Sequence, residues 1–200
     1  MKSLEQIRRE TPWIPEWHDT GACMDRRHIL WLHNILKLTG VKRTLEIGVH
    51  TGASASAFVA AGVATPHFCD IRMTGQAAQV TEGRGVWHLE PGKDVVARER
   101  AFDLVFVDGN HALDAVTEEI TALSRNSPAI ILAHDINSTV AGFGACEGAQ
   151  RLWEWLQSEQ WHCLVDAKLR DQEKTHRGML AATKDLNHWE RLVEAYRQVL

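Results

Sequence analysis

Five short apolar runs divide the middle of the chain: Thr44–Ile47, His67–Cys69, Val86–Leu89, Leu104–Val107 and Ile130–Ala133. Runs of this length between polar and glycine-bearing stretches read as buried strands. Helical patterns fill Ala53–Ala61, Leu113–Leu123 and Ala149–Gln157. Strands alternating with helices predict an α/β fold, a parallel sheet covered on both faces. The stretch Gln76–Gly85 stays ambiguous and ends in the turn Gly83-Arg84-Gly85. Two later strand-like runs, His162–Leu169 and Gly178–Ala182, flank the polar Arg170–Arg177, as in a long hairpin. A last helix is expected from Asn187, with Glu190 three residues on, burying Trp189, Leu192, Val193 and Tyr196.

The first 40 residues read as two helices forming an N-terminal helical cap (1–40) on a 41–200 core, all within one domain. Ser3 and Gln6 have capping-box spacing, and Pro12 stops the first helix. The second runs from about Asp25 to Leu38 on a stripe of Ile29, Leu32, Ile35 and Leu36, with Gly40 in the C-terminal position. At 44% hydrophobic residues the chain can fill one such core. Its charge of −4 argues against nucleic acid as a partner. The basic residues Arg8, Arg9, Arg26, Arg27, Lys42 and Arg43 are read as a solvated face. Cys23, Cys69, Cys146 and Cys163 form no Cys-x-x-Cys pair, and the sequence carries neither a leader pattern nor an apolar run near the ~20 residues that span a bilayer. The expectation is a cytoplasmic protein with no membrane partner, and a homo-oligomer is compatible with it.

The first strand leads into Glu46-Ile47-Gly48-Val49-His50-Thr51-Gly52-Ala53-Ser54. Glycines admit a ligand where a Cβ would clash, and the helix that follows offers free N–H groups to an anion. No Gly-Lys-Ser/Thr follows, which argues against a triphosphate cradle. The Glu-x-Gly-x-x-x-Gly turn resembles the first motif of class I S-adenosylmethionine (SAM) methyltransferases. Their Rossmann-like fold, a mostly parallel sheet with a terminal antiparallel hairpin, matches the order of runs from about residue 40 to 185. The resemblance implies that Gly48, Val49, His50, Thr51 and Gly52 face the methionine part of SAM, with Glu46 and Ser54 behind them. It implies that Asp70, ending the second strand beside Ile71, takes the ribose. Asp94 is a candidate for adenine, and Asp108 also faces the cofactor. NAD is the competing ligand, disfavoured by the missing Gly-x-Gly-x-x-Gly.

The fourth strand ends in Asp108-Gly109-Asn110-His111 and the fifth in His134-Asp135. Adjacent strands bring these tips to one rim, where carboxylates clustered without a cation are electrostatically costly. A divalent metal relieves that cost. The pattern resembles small O-methyltransferases related to macrocin O-methyltransferases and cephalosporin hydroxylase-like proteins. The resemblance implies Asp108 and Asp135 as metal ligands, with His134 at the position where Glu is usual, and His111 as general base. A histidine there either leaves the His-Asp pair to serve without a metal, as in related small methyltransferases, or shifts the metal from magnesium toward manganese or iron. The implied activity is methyl transfer from SAM to a small molecule, at oxygen. A metal-dependent hydroxylase or a nicotinamide oxidoreductase on the same fold stays open. His18, His28, His33, His88, His162, His176 and His188 are read as surface or core residues. Residues Ile136–Ala145 are a candidate lid, Glu147 a candidate site residue, and Trp13 and Trp17 read as packing or a cover over substrate.

Overall fold

The computed structural model describes residues 2–15, 24–99, 101–136, 146–166 and 178–200. Trp17, His18, Cys23, the candidate lid beyond Ile136, and the polar stretch 167–177 with His176 lie outside them. The strands are β1 (Arg43–Ile47), β2 (Thr65–Cys69), β3 (Val86–His88), β4 (Leu104–Val107), β5 (Ile130–His134), β6 (His162–Asp166) and β7 (Met179–Thr183). The helices are α1 (Leu4–Glu10), α2 (Arg26–Thr39), α3 (Ala55–Ala61), α4 (Gly75–Thr81), α5 (Gly92–Arg98), α6 (Leu113–Asn126), α7 (Glu147–Ser158) and α8 (Leu186–Arg197).

One seven-stranded sheet has the order β3-β2-β1-β4-β5-β7-β6. The first five strands are parallel, and β7 runs antiparallel between β5 and β6. Side chains alternate along each strand, so every strand feeds two layers. Leu104, Phe106, Ile130, Leu132, Met179 and Ala181 pack with Trp31, Leu32 and Ile35 of α2, Phe58 of α3 and Leu192 of α8. On the other face Ile47, Val105, Val107, Ile131 and Leu180 meet Val95 of α5, Val116 and Ile120 of α6 and Leu152 of α7. Trp31 is fully buried, and truncating such a side chain costs about 3–5 kcal/mol.

Several boundaries differ from the sequence reading. The ambiguous stretch is mostly α4, with the Thr74 side chain accepting from the Ala77 N–H at its start (3.1 Å). The short helix α5, which the sequence reading left out, begins behind Pro91. It is seven residues long and has no side-chain cap to mark its start. The α8 cap is Asp185, accepting from His188 N–H at 2.8 Å, so the helix starts before Asn187. Leu192 is buried there with Ala195, whereas Trp189, Val193 and Tyr196 are half-buried. Helix α2 packs on the sheet, with Trp31, Leu32 and Ile35 in one cluster with Leu104 and Phe106. Among the described residues no helix is long and apolar enough to cross a membrane.

Candidate active site

The chain runs outward from β1 to β2 and β3, then returns to β4 and β5. The reversal leaves a crevice beyond the carboxyl ends of β1 and β4, where open α/β sheets bind ligands. A cavity of 750 Å³ lies there. Its lining joins Gly48, Val49, His50, Thr51, Ser54, Asp70 and Ile71 to Asp108, His111, His134 and Asp135. These eleven residues, drawn from four separate stretches of sequence, share one space.

The β1 turn is held from behind. Asp70 Oδ2 accepts the N–H groups of Val49 (3.0 Å) and His50 (2.9 Å). Thr74 Oγ1 donates to the His50 carbonyl at 2.7 Å. Gly48 has φ +87°, and a Cβ there would stand 2.2 Å from the backbone oxygen of Asp108. Its glycine is therefore required first by the approach of the β4 tip, and only then by any ligand. Gly52 (φ +82°) stands against α4, where a Cβ would meet the Ala77 Cα at 3.0 Å, and does not line the cavity.

Glu46 is fully buried behind the turn, with Ser54 Oγ donating to its Oε1. Its Oε2 has no partner among the described residues. Burial pushes its carboxyl up to about 8, against the Ser54 hydrogen bond, with Asp108 and Asp70 adding repulsion. Asp94 is exposed on α5, outside the lining. The acidic group that β3 delivers to the cavity is Glu90, held by Arg98 through two bonds of 2.7 Å. Glu147 is likewise exposed at the start of α7 and does not line the cavity. Trp13 stacks on His33, with ring centroids 5.0 Å apart, and lines a smaller separate pocket.

At the rim, His111 Nε2 lies 2.9 Å from Asp135 Oδ2 and 4.0 Å from Asp108 Oδ1. His134 Nδ1 lies 3.2 Å from Asp135 Oδ1 and 3.4 Å from Asp108 Oδ1. Burial works against a charged ring at both histidines. The carboxylates outweigh it and hold both above the ordinary imidazole range, Asp135 leading at His111 and Asp108 at His134. Asp135 has φ +57°, a left-handed conformation that costs about 1–3 kcal/mol outside glycine and turns the chain sharply where β5 ends.

The donor atoms that converge are those of Asp108, His111 and Asp135, all within 4.8 Å of one another. His134, expected as a ligand, is not in that set. One of its nitrogens faces the two carboxylates and the other faces His28 Nδ1 at 3.3 Å. His111, at the β4 tip, stands in that set instead.

Glu119 was not anticipated. It lines the cavity and is 6% exposed, and its Oε2 has no partner among the described residues. Burial pushes it up to about 7, with the His111 charge opposing. The missed signal is an acid inside the apolar stripe Val116, Ile120 and Leu123 of α6.

The sheet order and the crevice define the Rossmann-like class I methyltransferase fold, and solved structures of that class superimpose on the chain. One is an O-methyltransferase from Streptomyces achromogenes involved in tomaymycin synthesis, solved with SAM. It has a TM-score of 0.64 at 19% identity, over 89% of this chain and 86% of that one. An O-methyltransferase from Bacillus cereus with S-adenosylhomocysteine gives 0.63 at 15% identity, over 92% of each chain. A Podospora anserina methyltransferase with S-adenosylhomocysteine gives 0.64 at 17%, over 92% of this chain and 98% of that one. No protein-family model matches the sequence, and no curated protein matches it either.

Proposed function

We propose that the chain is a SAM-dependent methyltransferase that modifies an oxygen of a small molecule. The observation carrying this reading is the single cavity that joins the β1 turn and Asp70 to the Asp108–His111–Asp135 rim. Its 750 Å³ suits a cofactor with a small acceptor beside it, since such sites span about 300–1,000 Å³. The SAM- and S-adenosylhomocysteine-bound relatives of the fold support the choice of cofactor.

The residues present fit SAM. The Glu46 carboxyl lies buried behind the turn and outside the cavity lining, and it braces the turn through Ser54. The turn from Gly48 to Thr51 and the wall at Asp70 and Ile71 would hold the cofactor, which supplies an activated methyl when bound. Asp70 Oδ2 accepts from the turn, and Oδ1, which accepts the Arg72 N–H at 3.3 Å, keeps a second lone pair for a ribose hydroxyl.

The chain must then orient an acceptor hydroxyl and take its proton. Orientation is worth up to about 7–11 kcal/mol of the barrier, and a general base about 10²–10⁴-fold. His111 is the base. With Nε2–H donating to Asp135, its Nδ1 is left to accept the proton, and Asp108 and Asp135 stabilise the cation that forms. The same ring cannot also give Nε2 to a metal, because Nδ1 would then carry the hydrogen. A divalent cation (magnesium, manganese or iron) fits the paired carboxylates Asp108 and Asp135. When bound, it lowers the pKa of an acceptor hydroxyl.

A thermal-shift panel of SAM, S-adenosylhomocysteine and NAD, with and without Mg²⁺, Mn²⁺, Fe²⁺ and chelator, tests this reading. SAM at 100 times its Kd stabilises by about 2.7 kcal/mol, which raises Tm by about 5–10 °C in a chain of this size. A shift with NAD and none with millimolar SAM would overturn the proposal. A SAM shift that neither chelator nor metal alters would remove the cation from it.

A further inference from the structure

His134, Met179 and Asp166 form one register row across β5, β7 and β6. Residues paired across neighbouring strands point to the same face, so His134 and Asp166 share a face two strands, about 10 Å, apart. That gap is too wide for direct contact. His28 descends into it from α2. Its Nδ1 is 3.3 Å from His134 Nε2, and its Nε2 faces Asp166 Oδ2 at 3.6 Å, an ion-pair spacing longer than a hydrogen bond. The two imidazoles meet edge to face at 79°, and Asp25, the residue just before α2, stands 4.0 Å from His28 Nδ1. His28, His134 and Asp166 are 0%, 3% and 1% exposed.

The row therefore reads Asp166–His28–His134–Asp108/Asp135, with carboxylates at both ends and the rim at one of them. Apolar residues surround it, and buried polar groups in such a layer persist only when their partners are in place. The hydrogens follow from that requirement. A nitrogen facing a carboxylate carries one, and the central N···N contact needs one more. Three hydrogens on four ring nitrogens fix His134 with an N–H toward Asp108 and Asp135. A ring lacking the His28 partner could turn or take its other tautomer, and the two rim carboxylates would lose a fixed donor.

We infer that His28 and Asp166 are positioning residues: acting through His134, they hold the Asp108 and Asp135 carboxylates in the orientation that His111 needs. As a statement about catalysis this rests on the methyltransferase reading, whereas its first readout does not.

The test uses the ligand-free full chain labelled with ¹⁵N-histidine. Long-range ¹H–¹⁵N spectra of the wild type, His28→Phe, His28→Asn and Asp166→Asn report the ring nitrogens of His134 and His111. Calorimetry reports SAM affinity, and Mn²⁺ electron resonance reports cation affinity. In His28→Phe the His134 and His111 resonances should both move. Mn²⁺ affinity should fall about 10–100-fold, as when partners behind metal ligands are removed, with SAM affinity within about twofold of wild type. His28→Asn, which keeps a polar atom near Nδ1, should recover most of the loss. Asp166→Asn preserves shape and should move the same resonances if His28→Phe does not fold. Unmoved His111 resonances in both His28→Phe and Asp166→Asn would overturn the inference. So would an Asn variant as impaired as Phe, because packing alone would then explain His28. Failure of wild type to bind SAM would sink the methyltransferase reading and leave the spectral test standing.

Discussion

The carboxyl of Glu119 offers a test of the cavity that needs neither substrate nor cofactor. The side chain is 6% exposed and its Oε2 has no partner among the described residues. Burial raises it from 4.5 to about 7. An acid with a raised folded pKa binds its proton more tightly when folded. Its contribution to stability is therefore greatest below pH 4.5, falls as pH rises toward 7, and stays reduced above. The full penalty is about 3 kcal/mol. Glu119→Gln removes the charge at similar volume, so its advantage over wild type should be under about 1 kcal/mol at pH 5, about 2 at pH 6 and about 3 at pH 8. That corresponds to a Tm gap of about 6–12 °C at pH 8, narrowing steadily on acidification. Calorimetric Tm of both proteins across pH 5–8 measures it. A gap that does not change with pH would refute the reasoning, because shape or amide effects do not titrate.

Three other outcomes follow from the site. Gly48→Ala drives a Cβ to 2.2 Å of the Asp108 carbonyl at φ +87°, and should cost at least about 2 kcal/mol in urea unfolding. A stable, unperturbed variant would contradict the tight β1–β4 approach. Asp70→Ala strips the acceptor from the Val49 and His50 N–H groups and should weaken SAM binding by more than about tenfold in calorimetry. Unchanged affinity would free Asp70 of any cofactor role. His111→Ala should lower turnover about 10²–10⁴-fold with SAM affinity retained. Because the rim carboxylates hold that imidazole above 6.5, wild-type turnover should fall on the acid side with a midpoint above 6.5, and that limb should vanish in the variant.

The α/β order was legible because each core strand is a continuous apolar run and each long helix carries a stripe. The terminal hairpin was legible as two apolar runs around a polar stretch, and the rim pairs because polar residues end apolar strands. Two short helices were not. Helix α5 has seven residues and no side-chain cap, and α4 depends on a threonine cap and on packing against Gly52. Asp94 and Glu90 are close in sequence, yet α5 begins between them and turns Asp94 away.

The sequence by itself determined the strand tips, and with them Gly48, Asp70, Asp108, His111, His134 and Asp135 on one edge of a sheet. Chain order and apolar patterning suffice for that, because parallel strands all end on the same side. Only the tertiary structure decided what each tip residue touches. Gly48 makes room for the backbone of Asp108, and Asp70 braces the turn. His111 and His134 both face the two rim carboxylates, and His134 is also tied back to His28. Those pairings join residues as many as 106 positions apart, and they depend on side-chain directions that no local pattern encodes.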